Sequence, residues 1–134
     1  MNSNINEKDA QQALEKGYDK AKIILQDEDK LDNLFREMER KLKVVPNIGE
    51  GLSHIPVFAS MVNSYVKKEY TKVPLGTIIA MISAIAYFVS PIDIVPDVIP
   101  GAGLIDDAFV VAACLALVDS DVKDYIVWRD SRNN

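Results

Sequence analysis

Residues 75–89 read LGTIIAMISAIAYFV, and the charge-free run around them covers the twenty residues 73–92. Only Thr77 and Ser83 interrupt its apolar character, so the stretch is apolar nearly all round. A helix of this kind is either the centre of a bundle or a membrane element. A helix between Pro74 and Pro91 would be about 25 Å long, against about 30 Å for a hydrocarbon core. The sequence therefore leaves open a buried central helix, a short membrane span and a helix lying in the membrane interface.

A second apolar segment follows a loop rich in proline and aspartate. The spacing predicts a helix over 104–118, of which only residues 108–118 are uniformly apolar, too few to span a bilayer. With 75–89 this helix would form an apolar helical hairpin in the C-terminal half. A short helix at 121–129 is expected to close the chain, followed by a tail.

The N-terminal half has the periodicity of amphipathic helices. Apolar residues recur at steps of three and four over 7–26, over 29–45 and from Pro56 to Val66. The prediction is all-α: a small bundle of five to six helices in one domain, 1–134. Within it, 1–55 holds the amphipathic N-terminal helices and 119–134 the short last helix and tail. We expect six residues at the start to fray.

Charge is distributed unevenly along the chain. Residues 1–72 carry twelve basic and twelve acidic side chains, whereas 73–134 carry three basic and eight acidic ones. This pattern lacks the basic footprint of a nucleic-acid-binding protein. No signal peptide is evident, so we expect residence on the cytoplasmic side, membrane-associated or soluble. If residues 73–92 insert in a membrane, Lys67, Lys68 and Lys72 place the N-terminal end of that helix in the cytoplasm.

Four carboxylates in the loop lie among large apolar residues, with no lysine or arginine between Val73 and Val122. One interpretation is capping, because Ser90-Pro91 followed by Asp93 resembles the start of a helix. Another is a cation site, for which Mg²⁺ or Ca²⁺ would suit the all-oxygen ligands. A third is a salt link to the N-terminal helices. The candidate cation ligands are Asp93, Asp97, Asp106 and Asp107.

Other candidates for chemistry are weak. His54 is the only histidine, and its neighbour Ser53 does not make a catalytic dyad. Cys114 lies in an apolar helix and is expected to be a small core residue. Tyr125 and Trp128 are expected to pack the last helix. We therefore assign no catalytic residue, expect no required cofactor and consider an enzyme less favoured than a non-enzymatic protein.

The loop motif resembles the signature of the YkvA-like bacterial family, a domain of unknown function. The resemblance covers about residues 56–118 and rests on the spacing of nine loop positions: Ser90, Pro91, Asp93, Pro96, Asp97, Pro100, Gly103, Asp106 and Asp107. The family has no established enzymatic activity to carry over, and its members are often predicted to associate with membranes. The resemblance thus implies a membrane-associated protein, by analogy.

Three functions follow as hypotheses. The first is a non-enzymatic helical protein that associates with a membrane or a protein partner, with the Pro/Asp loop in a structural role. The second is a divalent-cation-binding protein or metal-dependent enzyme that uses the aspartates. The third is a soluble protein-interaction module that forms a homo-oligomer.

Overall fold

The computed structural model describes residues 3–44, 52–89 and 107–132. They form six helices: α1 (Ser3–Lys16), α2 (Tyr18–Leu25), α3 (Glu28–Val44), α4 (Ile55–Val66), α5 (Leu75–Val89) and α6 (Asp107–Arg132). The described residues contain no strand. The predicted all-α bundle of five to six helices is confirmed.

Gly17 and Asp27 set boundaries of the N-terminal helices. The helix predicted over 7–26 is two helices, because the chain turns at Gly17 between α1 and α2. At the start of α3, the Asp27 carboxylate accepts a hydrogen bond from the Lys30 backbone N–H at 3.1 Å. This contact satisfies a donor that has no partner inside the helix. Leu31, Leu34 and Met38 then form the buried stripe of α3.

Helix α4 ends in a Schellman motif with a lysine at its left-handed position. The Glu69 N–H donates to the Ser64 carbonyl at 2.9 Å, and the Lys68 N–H donates to the Tyr65 carbonyl at 3.0 Å. Lys68 itself has a φ of 63°. Glycine is the residue that usually takes this position, because it has no Cβ to clash there.

Helix α5 is the centre of the bundle. All twelve residues from Thr77 to Phe88 are buried, and α5 packs against each of the other five helices. Within the charge-free run, residues 77–88 therefore form a core whose apolar side chains are covered on every face, whereas Leu75 at the start of α5 is exposed. Among the described residues, no helix is both long enough and apolar enough to cross a membrane.

Helix α6 differs from its prediction. The chain does not break between Val118 and Asp121: α6 is one helix of 26 residues that contains residues 107–118 of the first predicted segment and all of the second. Asp119 and Lys123, four residues apart, form an exposed ion pair at 3.0 Å across the expected break. Asp119 lies on the exposed face of the continuing helix, while the part-buried Asp121 carboxylate accepts a hydrogen bond from Thr77.

Candidate functional site

The Pro/Asp loop was the main candidate from the sequence. Eight of its nine named positions lie outside the described residues: Ser90, Pro91, Asp93, Pro96, Asp97, Pro100, Gly103 and Asp106. Asp107 is the first residue of α6. The capping, salt-link and cation interpretations of this loop therefore stay predictions. Within residues 3–44, 52–89 and 107–132, no group of three His, Cys, Asp or Glu residues is placed to hold a metal ion.

Two buried hydroxyls of α5 connect it to the surrounding helices. The Ser83 hydroxyl donates to the Leu14 carbonyl in α1 at 2.6 Å. The Thr77 hydroxyl donates to the Asp121 carboxylate in α6 at 2.7 Å. Because a buried hydroxyl is costly without a partner, these bonds favour one rotation of α5 about its own axis. The two polar residues of the apolar stretch thus orient the helix in its bundle.

The C-terminal end of α5 is held by a lysine. The Lys41 ammonium of α3 donates to the Phe88 carbonyl at 2.5 Å and lies 4.9 Å from the centre of the Phe88 ring. A cation is favourable where the last carbonyls of a helix carry partial negative charge. It is also attracted to the face of an aromatic ring. Lys41 therefore stabilises the end of α5 that leads into the Pro/Asp loop.

An aromatic cluster fastens the last turns of α6 to α4. Tyr70, Tyr125 and Trp128 have ring centres 4.8–5.6 Å apart. The Tyr125 hydroxyl shares hydrogen bonds with the hydroxyls of Ser60 at 2.5 Å and Ser64 at 3.2 Å. The expected packing role of Tyr125 and Trp128 is confirmed.

Cys114 and His54, the candidate nucleophile and base, are both packed against other side chains. Cys114 is completely buried, and burial raises the pKa of its thiol to about 12. A thiol held neutral in this way is a poor nucleophile, because the thiolate is the reactive form. His54 precedes α4 and stacks on Phe58 with ring centres 6.5 Å apart. The burial of Cys114 agrees with the core role expected from the sequence, whereas the sequence predicted a surface-loop histidine at His54 and not its stacking on Phe58.

The segment between α4 and α5 presents the most distinctive described surface. We call residues 65–76 the basic corner. It carries Lys67, Lys68 and Lys72, all exposed, against one acid, Glu69. A groove of about 600 Å³ opens beside it, lined by Leu25, Tyr65, Val66, Lys68 and Thr71.

Apolar side chains accompany these lysines. Val66 is 37 % exposed, and Leu75, at the first position of α5, is 51 % exposed. From the sequence, the three lysines were linked only to the orientation of residues 73–92 in a membrane. Nothing in the sequence indicated that Leu25 of α2 would line the same groove, because that proximity depends on the packing of α2 in the bundle.

A second apolar surface lies between α1 and α6. A groove of about 440 Å³ is lined by Gln11, Phe109, Ala112, Ala113, Ala116 and Leu117. Phe109 is 39 % exposed and Leu117 is 53 % exposed. The charged residues that follow along α6 are mostly acidic: Asp119, Asp121 and Asp124 against Lys123.

Comparison with known proteins identifies the family. The model of a family described as "Protein of unknown function (DUF1232)" matches residues 77–113. An uncharacterised membrane protein of Bacillus subtilis (strain 168), YkvA, is 36 % identical over 78 residues. That alignment covers 58 % of this chain and 74 % of the relative. The chain belongs to the YkvA-like family. The resemblance seen in the loop motif is thereby confirmed. No solved structure matches the chain.

The match to the YkvA-like family centres on the buried helix. Residues 77–113 include all of α5 after its first two residues, the Pro/Asp loop and the first seven residues of α6. What relates this chain to the YkvA-like family model is therefore the central helix and its connection to α6. The amphipathic helices α1 to α3 lie outside that segment.

Proposed function

We propose that this protein is a non-enzymatic, membrane-associated helical bundle. The observation that carries the proposal is α5: a charge-free helix whose residues 77–88, within the family segment, are buried against five other helices. A relative named as a membrane protein supports the same direction. In this proposal the bundle meets the membrane while its central helix stays inside the protein.

The burial of α5 favours association at the membrane surface over insertion. To insert, α5 would have to leave its contacts with α1 to α4 and α6, exposing their apolar stripes to water. It would also lose the hydrogen bonds of Thr77 and Ser83. Burying one large aliphatic side chain contributes about 1.5–3 kcal/mol, so uncovering many of them together is prohibitive unless the other helices also find apolar surroundings. The closed bundle is the form we propose to be membrane-associated.

Fractionation of cells that express the full chain tests this function. We expect the protein in the membrane pellet, with release by a high-salt or alkaline wash because no α5 insertion holds it there. Retention through both washes would contradict the closed-bundle form and favour an inserted α5. Recovery in the soluble fraction before any wash would contradict membrane association. A native mass of two or more chains in that fraction would then favour the oligomeric interaction module.

Cation binding by the Pro/Asp loop remains a separate proposal. Asp93, Asp97, Asp106 and Asp107 offer the oxygen ligands that Mg²⁺ and Ca²⁺ prefer. Calorimetric titration of the purified protein with each ion tests it, with an Asp93→Asn, Asp97→Asn variant as the control. Heat of binding in the parent and none in the variant would support the site. No heat and no thermal shift at millimolar metal would contradict the proposed cation site.

A further inference from the structure

We propose that the basic corner, residues 65–76, is the face that docks on a bilayer containing anionic phospholipids. This inference rests on the proposed membrane association and names the surface and the lipid class that it uses. The corner combines exposed lysines with exposed apolar side chains beside an open groove. Interfacial segments use this combination, since apolar groups enter the acyl boundary while lysine stems reach back to the headgroups.

Charge distinguishes this surface from the molecule as a whole, although residues 36–44 share its net charge of +2. The chain has a formal net charge of −5, whereas residues 65–76 carry three lysines and one glutamate, a net charge of +2. An anionic membrane would repel most orientations of the protein and attract this one. The attraction acts within about a Debye length, so it aligns the corner as the protein approaches.

Charge disfavours docking through the second apolar surface, the groove between α1 and α6. The groove between α1 and α6 is followed along α6 by Asp119, Asp121 and Asp124, with Lys123 as the one base among them. Placing that face on anionic headgroups would bring like charges together. Of these two grooves, only the one beside the basic corner is complementary to such a bilayer.

The backbone at Lys68 is an independent observation in favour of the corner. Its φ of 63° suits glycine, yet the position carries a long cationic side chain that lines the groove. A lysine near a helix C-terminus is favourable in itself, which accounts for Lys67. It accounts for neither the left-handed backbone at Lys68 nor the charge of Lys72. Strain retained at one residue points to a use for its side chain.

Partition of the full-length protein between buffer and lipid vesicles tests the proposal. The vesicles are phosphatidylcholine alone or phosphatidylcholine mixed with phosphatidylglycerol, and binding is measured by co-sedimentation. We expect binding to the mixed vesicles only, with a steep decrease as salt is raised from about 0.1 M to about 1 M. Each lysine near such a surface strengthens binding about fivefold, so replacing all three with glutamine should weaken it about 100-fold.

A matched control separates the corner from overall charge. The variant Lys16→Gln, Lys30→Gln, Lys43→Gln removes three exposed lysines elsewhere and has the same net charge as the corner variant. We expect it to bind within a few-fold of the parent. Equal weakening in both triple variants, or equal binding of the parent to neutral vesicles, would overturn the docking face. Circular dichroism of both variants confirms that their folds are intact.

The apolar side of the corner has its own test. Leu75→Gln should reduce binding several-fold at both salt concentrations, because it removes apolar contact without changing charge. Val127→Gln is the control, since Val127 is 69 % exposed on α6 and outside the corner. If both variants bind like the parent, the apolar part of the proposal is wrong.

Failure of the docking face and failure of membrane association give different results. If the parent protein sediments with cell membranes but binds neither vesicle type, membrane association is supported and the lipid-docking corner is contradicted. If the parent binds mixed vesicles through the corner but stays in the soluble fraction of cells, the docking corner is supported and membrane association in the cell is contradicted.

Discussion

At Lys68, a strained backbone conformation lowers stability but places a cationic side chain on the surface. With a φ of 63°, an L-amino acid is strained by about 1–2 kcal/mol relative to the right-handed region. Glycine avoids this strain but loses more entropy on folding. We expect Lys68→Gly to raise the free energy of unfolding by about 0.5–1 kcal/mol, measured by urea unfolding.

The neighbouring position supplies the control for Lys68. Lys67 has a φ of −79°, so Lys67→Gly relieves no strain and should lower stability by about 0.5–1 kcal/mol. A loss of stability in Lys68→Gly would mean that the relief of backbone strain is smaller than the entropy that glycine loses on folding. Both variants should weaken binding to anionic vesicles, which separates the stability effect from the docking effect.

The burial of Cys114 allows us to predict the reactivity of its thiol at a given pH. Because burial raises the thiol pKa from 9.0 to about 12, the neutral form is favoured in the folded protein. At about pH 8 we expect no reaction with a thiol reagent in the native state and full reaction in urea. Cys114→Ala gives the zero level of the assay. Rapid native-state modification would contradict the burial of this side chain.

The sign for stability follows from the same pKa shift. Between about pH 9 and about pH 12 the unfolded thiol is ionised while the folded thiol is still protonated, so the unfolded state binds fewer protons. Stability from this group is complete below about pH 9 and falls as the pH rises toward about 12. The alkaline loss should be smaller in Cys114→Ala than in the parent.

At the scale of the secondary-structure element, a proline substitution tests whether α6 is continuous. Ser120 lies inside the continuous helix, in the segment that the sequence assigned to a break. Proline there would remove a backbone hydrogen bond and clash with the preceding turn. We therefore expect Ser120→Pro to lower the free energy of unfolding by about 3 kcal/mol or more, measured by thermal and urea unfolding.

Ser120→Ala is the matched control for the proline substitution. Ser120 is exposed, so alanine should be neutral or slightly stabilising. If Ser120→Pro is tolerated like Ser120→Ala, residues 118–121 are a loop and the sequence-based division into two helices is correct.

The elements differ in how well the sequence predicts them. Helix α5 was predicted between Pro74 and Pro91 and is described over Leu75–Val89, since a charge-free run between prolines leaves few alternatives. The continuity of α6 was missed because Asp119, Ser120 and Asp121 resemble a new helix start. The aromatic cluster that favours one helix is visible only once the fold is formed, whereas the spacing of four residues between Asp119 and Lys123 was a sequence signal that was missed. The division at Gly17 was missed because glycine is also found inside helices.

The candidate site was predicted less well for a physical reason. The lysines of the basic corner are evident in the sequence, but the groove depends on how Leu25 of α2 packs beside Tyr65 and Val66 of α4. Contacts between separate helices have no periodic signature along the chain. The Pro/Asp loop has a recognisable spacing that identifies the family. Its geometry does not follow from periodicity, and its residues other than Asp107 lie outside the described ones.

At the scale of the whole molecule, the shared core predicts one cooperative transition. Ile82 is completely buried at the centre of the bundle, and every helix contributes side chains to the same apolar cluster. We expect Ile82→Ala to lower the free energy of unfolding by about 2–5 kcal/mol. Helix content by circular dichroism and Trp128 fluorescence should change together, because both report one transition.

Leu75→Ala is the control for that transition. Leu75 belongs to the same helix but is 51 % exposed, so its truncation should lower stability by well under about 2 kcal/mol. If fluorescence and circular dichroism separate in Ile82→Ala, the aromatic cluster near the end of α6 unfolds independently of the central helix.

The position of α5 in the chain order has a consequence for synthesis. Translation completes α5 before α6 is made, so the growing chain carries a finished apolar helix while one of its covering helices is still absent. Domains complete their folding only when the needed segments have emerged, at about 5–20 residues per second. For that interval the nascent protein exposes apolar surface of α5 that α6 covers in the mature form.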